Sequence, residues 1–189
     1  TNRSFDCRKM CSSRIYEYLL PTFCFLPPRP TSYLAQKIKE AAEKHPNGKR
    51  PDPEGEQWWA TVIKALEDKN ITQEKIDKAQ NAIKDEKFDE NDPNYIFLKE
   101  LKFIENKFRR GYRISSERLD WVKEALSKYT GHHNFHNFTI GKAFRDPSAN
   151  RFMKSLVVSD PFVIPNTDTE WVSIKIHGQS FMLHQIRKM

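Results

Sequence analysis

The chain has 189 residues, 38% of them apolar and 12% aromatic, which excludes a disordered segment and is enough for a folded core. Its 32 Lys and Arg against 25 Asp and Glu leave a formal charge of +7, which favours a polyanionic partner: RNA, DNA or an anionic membrane. Three cysteines without framework spacing argue against a secreted disulfide fold, and no apolar run reaches the roughly 18 residues of a membrane span.

The first predicted element is a strand over residues 14–26, rich in aromatic and branched side chains and running into Pro27 and Pro28. Alternation along this strand places Ile15 and Glu17 on one face and Tyr16 and Tyr18 on the other. The strand therefore presents two tyrosines side by side.

A helical block follows the first strand. Five segments carry an apolar stripe at helical spacing, and the first starts behind Thr31 or Ser32 as a cap: 31–45, 57–69, 73–84, 93–108 and 117–130. Residues 46–57 are polar and rich in Pro and Gly, which predicts a loop, and Gly131 is expected to cap the last helix. Trp58 and Trp59 are interpreted as core residues rather than a stacking platform.

Residues 131–189 are expected to contain a loop at 131–139 and a half-buried strand beginning at Glu170, with 151–158 as its return partner. Strand patterns at both ends of the chain predict an α/β (α+β) fold with a mixed or antiparallel sheet flanked by helices. The domain boundaries follow from this pattern: a first sheet region at 1–30, a charged helical insertion at 31–130 and the rest of the sheet at 131–189.

Three short stretches combine aromatic rings with arginine or histidine, the mixture that stacks bases and neutralises phosphates. They are RIYEY at 14–18, YTGHHNFHNFT at 129–139 and HGQSFMLHQIRKM at 177–189. Together with PFV and EW between the last two, they closely resemble the eukaryotic tRNA pseudouridine synthase 1 type of the TruA family. The resemblance covers roughly residues 1–30 and 109–189, and the helical block has the length and charge of that branch's insertion.

The resemblance implies isomerisation of uridine to pseudouridine in RNA without a cofactor. It assigns Tyr16, which follows Arg14 in the first motif, to stacking on the flipped uracil, and it assigns Arg187 to an ion pair with the nucleophilic aspartate. Such a pair is chemically reasonable because a guanidinium keeps a buried carboxylate ionised and oriented. By residue pattern alone, Tyr16 would be an ordinary core aromatic and Arg187 a surface arginine.

The nucleophilic aspartate of the family lies in a Gly-Arg-Thr-Asp loop upstream of the first motif, and this sequence contains no such loop. Asp6 lacks the preceding residues, and Asp146 lies on the wrong side of the motif in a Pro-containing loop. We therefore expect the chain to be a segment of a larger enzyme and to make no pseudouridine by itself. The alternative is a non-catalytic RNA-binding or RNA-folding module; a charged helical interaction domain is a third interpretation.

RNA is expected to contact a basic cluster in KFRRGYRISSER, where Arg109, Arg110 and Arg113 surround Tyr112 as a stacking ring, with Lys107 and Arg118 nearby. The other interpretation is a solvated helix end, where arginines are favourable. In GHHNFHNFT, Phe135 or Phe138 is expected in the core, and His133 and Asn134 are candidates for RNA contact. Arg14 of the first motif is a further candidate for RNA contact. No metal is expected, since no Cys or carboxylate is spaced to complete a site.

The expected partner is tRNA, with small nuclear RNA and mRNA as further candidates, and the protein is expected to act as a monomer without a membrane partner. Family members of this branch function in the nucleus and in the mitochondrion, so the resemblance leaves both compartments open. The modified uridines cannot be read from the sequence, because recognition of RNA shape leaves little trace in it.

Overall fold

A computed structural model of the chain describes residues 4–7, 10–45, 50–84 and 90–189. The backbone divides into two units, one formed by residues 1–24 with 113–189 and the other by residues 25–112. We call them the sheet unit and the helical unit. Among the described residues, no helix is both long and apolar enough to cross a bilayer.

The sheet unit is built on five antiparallel strands among the described residues. They are β1 (Arg14–Pro21), β2 (Gly131–Asn134), β3 (Asn150–Val158), β4 (Phe162–Val163) and β5 (Glu170–Gly178). The strand order is β1-β5-β3-β2, and β4 also pairs with β5. With helices beside it, this sheet confirms the α/β fold class, the antiparallel pairing and residues 151–158 as the return partner.

Strand β5 runs through the middle of the sheet because its alternating side chains suit a half-buried strand. Val172, Ile174 and Ile176 are buried on one face, and Lys175 between them is exposed. Tyr16 lies opposite Ile176, and Glu17 lies opposite Lys175. The register thus confirms the predicted faces of β1, with Tyr16 and Glu17 on opposite sides.

Two predicted boundaries beside β2 were wrong. Helix α5 (Ser116–Ser127), capped by the Ser115 hydroxyl, ends before Gly131, whose φ of +103° instead serves the start of β2. The expected loop at 131–139 begins with this four-residue strand, since Gly131 to Asn134 pair with Met153 to Asn150. Strand β2 is so short that its sequence shows too little alternation of apolar and polar residues to predict a strand.

The helical unit contains α1 (Tyr33–Lys44), α2 (Pro53–Glu67), α3 (Gln73–Lys84) and α4 (Pro93–Gly111). Helix α2 begins inside the segment predicted as a loop at 46–57, of which residues 46–49 lie outside the described ones. The Asp52 side chain accepts a hydrogen bond from the Gly55 amide at 2.9 Å, and Pro53 occupies the first helical position. Proline is favoured there because that position needs no amide donor.

The first strand also ends earlier than predicted, at Pro21 rather than residue 26, and a 3-10 turn occupies Thr22–Phe25. Proline cannot donate a hydrogen bond to a neighbouring strand, so it is a natural end for β1.

The helical unit packs around Trp59, Val62, Leu66 and Leu101, and the Trp59 indole donates to the Pro27 carbonyl at 2.9 Å. This confirms the interpretation of the tryptophan pair as core.

Candidate active site

A cleft of about 630 Å³ in the sheet unit is lined by β1 and by the segment that follows β5. Tyr16 and Tyr18 line it from the strand, and residues 181–187 line it from the other side. The Tyr16 ring meets the Phe181 ring edge-on, with centroids 5.2 Å apart and an angle of 87° between the planes. Tyr16 remains 47% exposed, so the protein orients the ring without covering it.

Gly178 allows the close approach of Phe181 to the sheet. A Cβ at this position would lie 2.8 Å from Phe181 Cζ and 3.2 Å from the Met153 side chain. Gly178 is not among the described residues with positive φ, so the conformational freedom of glycine does not explain this position. Its role is spatial: the missing side chain leaves room for the ring that contacts Tyr16.

The cleft wall after Phe181 is ordered by a buried glutamine. Gln185 is 1% exposed, and its side-chain oxygen accepts a hydrogen bond from the Met182 amide at 2.9 Å. Helix α6 (Gln185–Lys188) is a single turn that starts behind His184, whose φ is +60°. This turn places Arg187 on the cleft wall with an exposed side chain.

The second and third motifs are joined by hydrogen bonds that the sequence did not reveal. The Thr139 hydroxyl donates to the Leu183 carbonyl at 2.9 Å, and the Lys188 ammonium donates to the Thr139 carbonyl at 3.0 Å. The Tyr129 hydroxyl donates to the Met189 carbonyl at 3.2 Å. Residues 129–139 therefore support the wall that carries Arg187, and we call these three bonds the clamp.

The loop after β2 is held by its own side chains. Phe135 is 1% exposed, which confirms the expected core role, and it stacks against Tyr129 at 6.3 Å. The Asn134 amide donates to the Phe144 carbonyl at 2.8 Å, and its oxygen accepts from the His136 amide at 3.1 Å. A ring nitrogen of the exposed His133 lies 2.9 Å from the Thr130 carbonyl. Asn134 thus has a clear structural role, and its contact with RNA stays a prediction.

The predicted basic cluster is divided between the two units. Arg109 and Arg110 end α4 in the helical unit, and Arg113 belongs to the sheet unit, with Arg110 and Arg113 exposed. The Arg109 guanidinium bonds the buried Glu105 carboxylate at 3.0 Å and the Asn106 side chain at 3.1 Å.

Two expected members of the basic cluster are buried. Tyr112 is 6% exposed and donates its hydroxyl to Glu54, so it is not available to stack on a base, contrary to expectation. Arg118 is 4% exposed, with its guanidinium 5.8 Å from the Trp121 ring. Burial of these two side chains depends on tertiary packing, which their local sequence did not indicate.

Two carboxylates of the sheet unit belong to other interactions. Glu17 accepts a hydrogen bond from the Ser173 hydroxyl on the face of β1 opposite Tyr16. Asp146 caps a 3-10 turn, where hydrogen bonds from Lys142 and Ser148 hold the pKa of its carboxyl well below its usual range. Among the described residues, no carboxylate lies within ion-pairing distance of Arg187.

Comparison with known proteins gives a consistent result. Residues 125–189 match the family model described as tRNA pseudouridine synthase. The chain is 53% identical to tRNA pseudouridine synthase 1 of Eremothecium gossypii and 51% identical to that of Saccharomyces cerevisiae, over its whole length in both cases. It is 33% identical to the tRNA pseudouridine(27/28) synthase of Saccharomyces cerevisiae, again over its whole length. The chain is thus similar to tRNA pseudouridine synthases over its whole length, and its last third matches their family model.

The clamp and Arg187 both lie in residues 125–189, the part of the chain that matches the family model. The similarity to the two tRNA pseudouridine synthase 1 proteins extends this match to β1, which carries Tyr16. The chain covers 36% and 35% of these two relatives, so it spans about a third of their length.

The sequence did not indicate that Phe181, Thr139 and Gln185 support the cleft. All three lie within the quoted motifs, but a motif does not say which of its residues contact one another.

Proposed function

We propose that the protein containing this chain isomerises uridine to pseudouridine in tRNA, and that this chain supplies the uracil-stacking tyrosine and the arginine for the nucleophile. The observation that carries the proposal is that Tyr16 and Arg187 line the same cleft. Tyr16 and Arg187 lie in separate motifs, far apart in the sequence. If each had only a structural role, they would not need to line the same cleft. Similarity to proteins named tRNA pseudouridine synthase 1 supports the reaction.

The geometry of Tyr16 suits a flipped base. The edge of Phe181 fixes one side of the ring, and almost half of the tyrosine surface is left for a ligand. Stacking of a base on such a ring contributes about 1–3 kcal/mol, which offsets the few kcal/mol needed to unstack it from RNA. The reaction breaks the bond from C1′ to N1 of uracil and forms one from C1′ to C5, so product and substrate are isomers and no redox cofactor is needed.

Arg187 is suited to hold a carboxylate in its charged form. A guanidinium within about 4–6 Å of a carboxylate favours ionisation, and its two parallel donors fix the orientation. We infer that the family's Gly-Arg-Thr-Asp aspartate, supplied by the parent protein, forms this pair and attacks C1′. The 189-residue chain then makes no pseudouridine by itself.

The test uses full-length protein and tRNA labelled with tritium at C5 of uridine, because C5 loses its hydrogen when it becomes the glycosidic atom. Tyr16→Leu and Arg187→Gln are each expected to reduce kcat at least a hundredfold, since positioned catalytic groups contribute about 10²–10⁴ in rate. Tyr33→Leu and Arg145→Gln change the same residue types at exposed positions outside the cleft and should retain activity. Tritium release by the 189-residue chain, or full activity of the two cleft variants, would refute the assignment.

A non-catalytic RNA-binding protein is the second candidate. It is favoured because no carboxylate among the described residues forms an ion pair with Arg187. The residues preceding Thr1 in the parent protein discriminate the two: a Gly-Arg-Thr-Asp loop within about a hundred residues selects the enzyme, and its absence selects the binding module.

We further propose that the parent protein acts as a monomer, on tRNA first and on small nuclear RNA or mRNA as additional substrates, in the nucleus or the mitochondrion. The support for these points is the family resemblance and the positive charge of the chain. Mapping pseudouridine in fractionated RNA from cells that lack the protein would identify both its substrates and its compartment.

A further inference from the structure

A second pocket, of about 520 Å³, lies at the end of the sheet where β1 begins and β5 ends. Six of the residues that line it have polar or basic side chains that could bind a ligand: Arg14, His132, Asn150, Arg151, Gln179 and Ser180. No carboxylate lines it among the described residues. We call it the basic pocket.

The strand register explains why these residues meet. Arg14 lies opposite Gly178, and Gly178 lies opposite Met153 on its other side. The Gln179 amide then donates to the Phe152 carbonyl at 3.1 Å, which extends the pairing of β5 with β3 past the strand end. Since neighbouring strands lie about 4.8 Å apart, Arg14 and β3 are separated by only about 10 Å across β5.

The charge of the basic pocket selects an anion. Arg14 and Arg151 contribute two permanent positive charges, because guanidinium groups stay protonated in proteins. Arg151 donates through Nη1 to the Asn150 carbonyl at 2.7 Å, which fixes the side chain, while its Nε is buried without a hydrogen-bond partner in the described part of the chain. A buried donor of this kind is costly unless a ligand satisfies it, and the guanidinium fork matches phosphate oxygens.

The basic pocket adjoins the cleft of Tyr16 along two segments. Arg14 and Tyr16 share one face of β1, two residues apart, which is about 6.8 Å along a strand. On the other side, Gln179 and Ser180 line the basic pocket, and Phe181 and Met182 continue directly into the cleft wall. A nucleotide whose base lies in the cleft therefore directs its neighbouring backbone toward the basic pocket.

We propose that the basic pocket binds a backbone phosphate of RNA next to the uridine held against Tyr16, with Arg151 and Arg14 as its ligands and His132 as an exposed hydrogen-bonding partner. The inference rests on the proposed function, because that function places the uridine in the cleft. It assigns a purpose to Arg151, His132 and Gln179, which the catalytic cleft does not use.

The test measures binding of full-length protein to a series of uridine-containing RNA oligonucleotides, each with one phosphate replaced by a neutral methylphosphonate. For the wild type, neutralising the phosphate next to the bound uridine should weaken binding about tenfold, as expected for loss of a charge-assisted bond. In Arg151→Gln the same replacement should cost less than twofold, and the slope of log K against log salt should fall by about 0.7. Arg145→Gln, the same exchange outside both pockets, should behave like the wild type.

An equal methylphosphonate penalty in the wild type and Arg151→Gln would overturn the proposal. If Arg151→Gln does not fold, as judged by circular dichroism, His132→Gln decides instead, because His132 is exposed and its replacement leaves the packing intact. It should reduce the penalty at the same phosphate at least twofold, and an unchanged penalty rejects the site. If pseudouridine forms normally and no single methylphosphonate weakens binding more than the others, the phosphate site is refuted and the proposed reaction stands. A position-specific penalty without turnover supports the site and defeats the proposed reaction.

Discussion

Gly178 lies where two parts of the chain pass too close for a side chain, and this closeness gives the cleft its shape. The sequence predicted which residues of β1 share a face, because alternation is a local property of strands, and so Tyr16 was placed correctly relative to Glu17. It did not predict why Gly178 is a glycine. The reason is the ring of Phe181, and only the folded chain brings that ring to the residue.

Gly178→Ala is expected to destabilise the sheet unit by about 1–3 kcal/mol, the usual cost of forcing an extra group into a packed site. The added methyl would displace Phe181 and its edge contact with Tyr16. Urea denaturation followed by circular dichroism measures the loss, and kcat of the full-length enzyme should fall as well. Gly111→Ala is the control: an added Cβ there has nothing within 4 Å, so the stability should change by less than about 1 kcal/mol.

Asp146 gives a prediction for acid conditions. Because hydrogen bonds from Lys142 and Ser148 lower the pKa of this carboxyl in the folded protein, its charge adds stability at pH values above its ordinary pKa of 3.8. That contribution disappears as the pH falls from about 4 toward the lower folded pKa. The Tm of Asp146→Asn should therefore be below that of the wild type at pH 7, and the difference should shrink below pH 4. A difference that grows toward low pH would contradict this interpretation.

At the scale of elements, the sequence predicted the helices well where capping residues were explicit. Ser32, one of the two predicted caps, begins α1, and Ser115 begins α5 in the same way, each accepting a hydrogen bond from an amide three residues on. The predicted start of helix α2 was wrong because Pro53 and Gly55 are typical of loops, although a proline at the first helical position behind Asp52 is itself a start signal. The Pro and Gly content of this segment predicted a loop, whereas the position of the proline directly behind Asp52 indicates the start of a helix.

Thr139→Val tests the clamp, which joins the loop after β2 to the segment before α6. The substitution keeps the shape of the side chain but removes the donor to the Leu183 carbonyl, at a cost of about 1–2 kcal/mol in unfolding free energy. We expect a larger fall in kcat than in substrate affinity, since Arg187 lies on the wall that the clamp supports. Thr61→Val, whose hydroxyl bonds only within its own helix, is the matched control and should leave kcat unchanged.

For the molecule as a whole, the net charge and the motifs could be read from the sequence, but it did not show which charged side chains are exposed to solvent. The excess of seven positive charges favoured RNA, and the three motifs indicated the family. Burial of Tyr112 and Arg118 depends on packing between distant segments and so left no periodic signal. The pairing of Arg109 with Glu105 is instead a local contact between residues four apart in α4. The basic pocket also escaped notice, because its residues come from three strands.

Replacing Arg109, Arg110 and Arg113 together with Gln should weaken RNA binding and flatten its salt dependence, and the structure sharpens this prediction. The exposed Arg110 and Arg113 should account for most of the change in slope, about 0.7–0.9 for each phosphate that is no longer neutralised. Arg109→Gln alone should leave the slope nearly unchanged and lower stability by about 1 kcal/mol, because Glu105 loses a hydrogen-bonded partner. Fluorescence titrations at several salt concentrations separate the outcomes, and an unchanged slope for the triple variant would reject these arginines as an RNA-binding surface.

Helix α6 has four residues, far fewer than the roughly 12–15 that an isolated helix needs to persist in water. Its order must therefore come from Gln185 and the clamp, and every weakening of them lowers the fraction of molecules in which Arg187 is in place. Under the proposed function, turnover should fall in proportion to that fraction, even when no residue that touches RNA has changed. The candidate active site would thus have an adjustable population of competent molecules, and solvent conditions or distant substitutions would act on the proposed activity through that population.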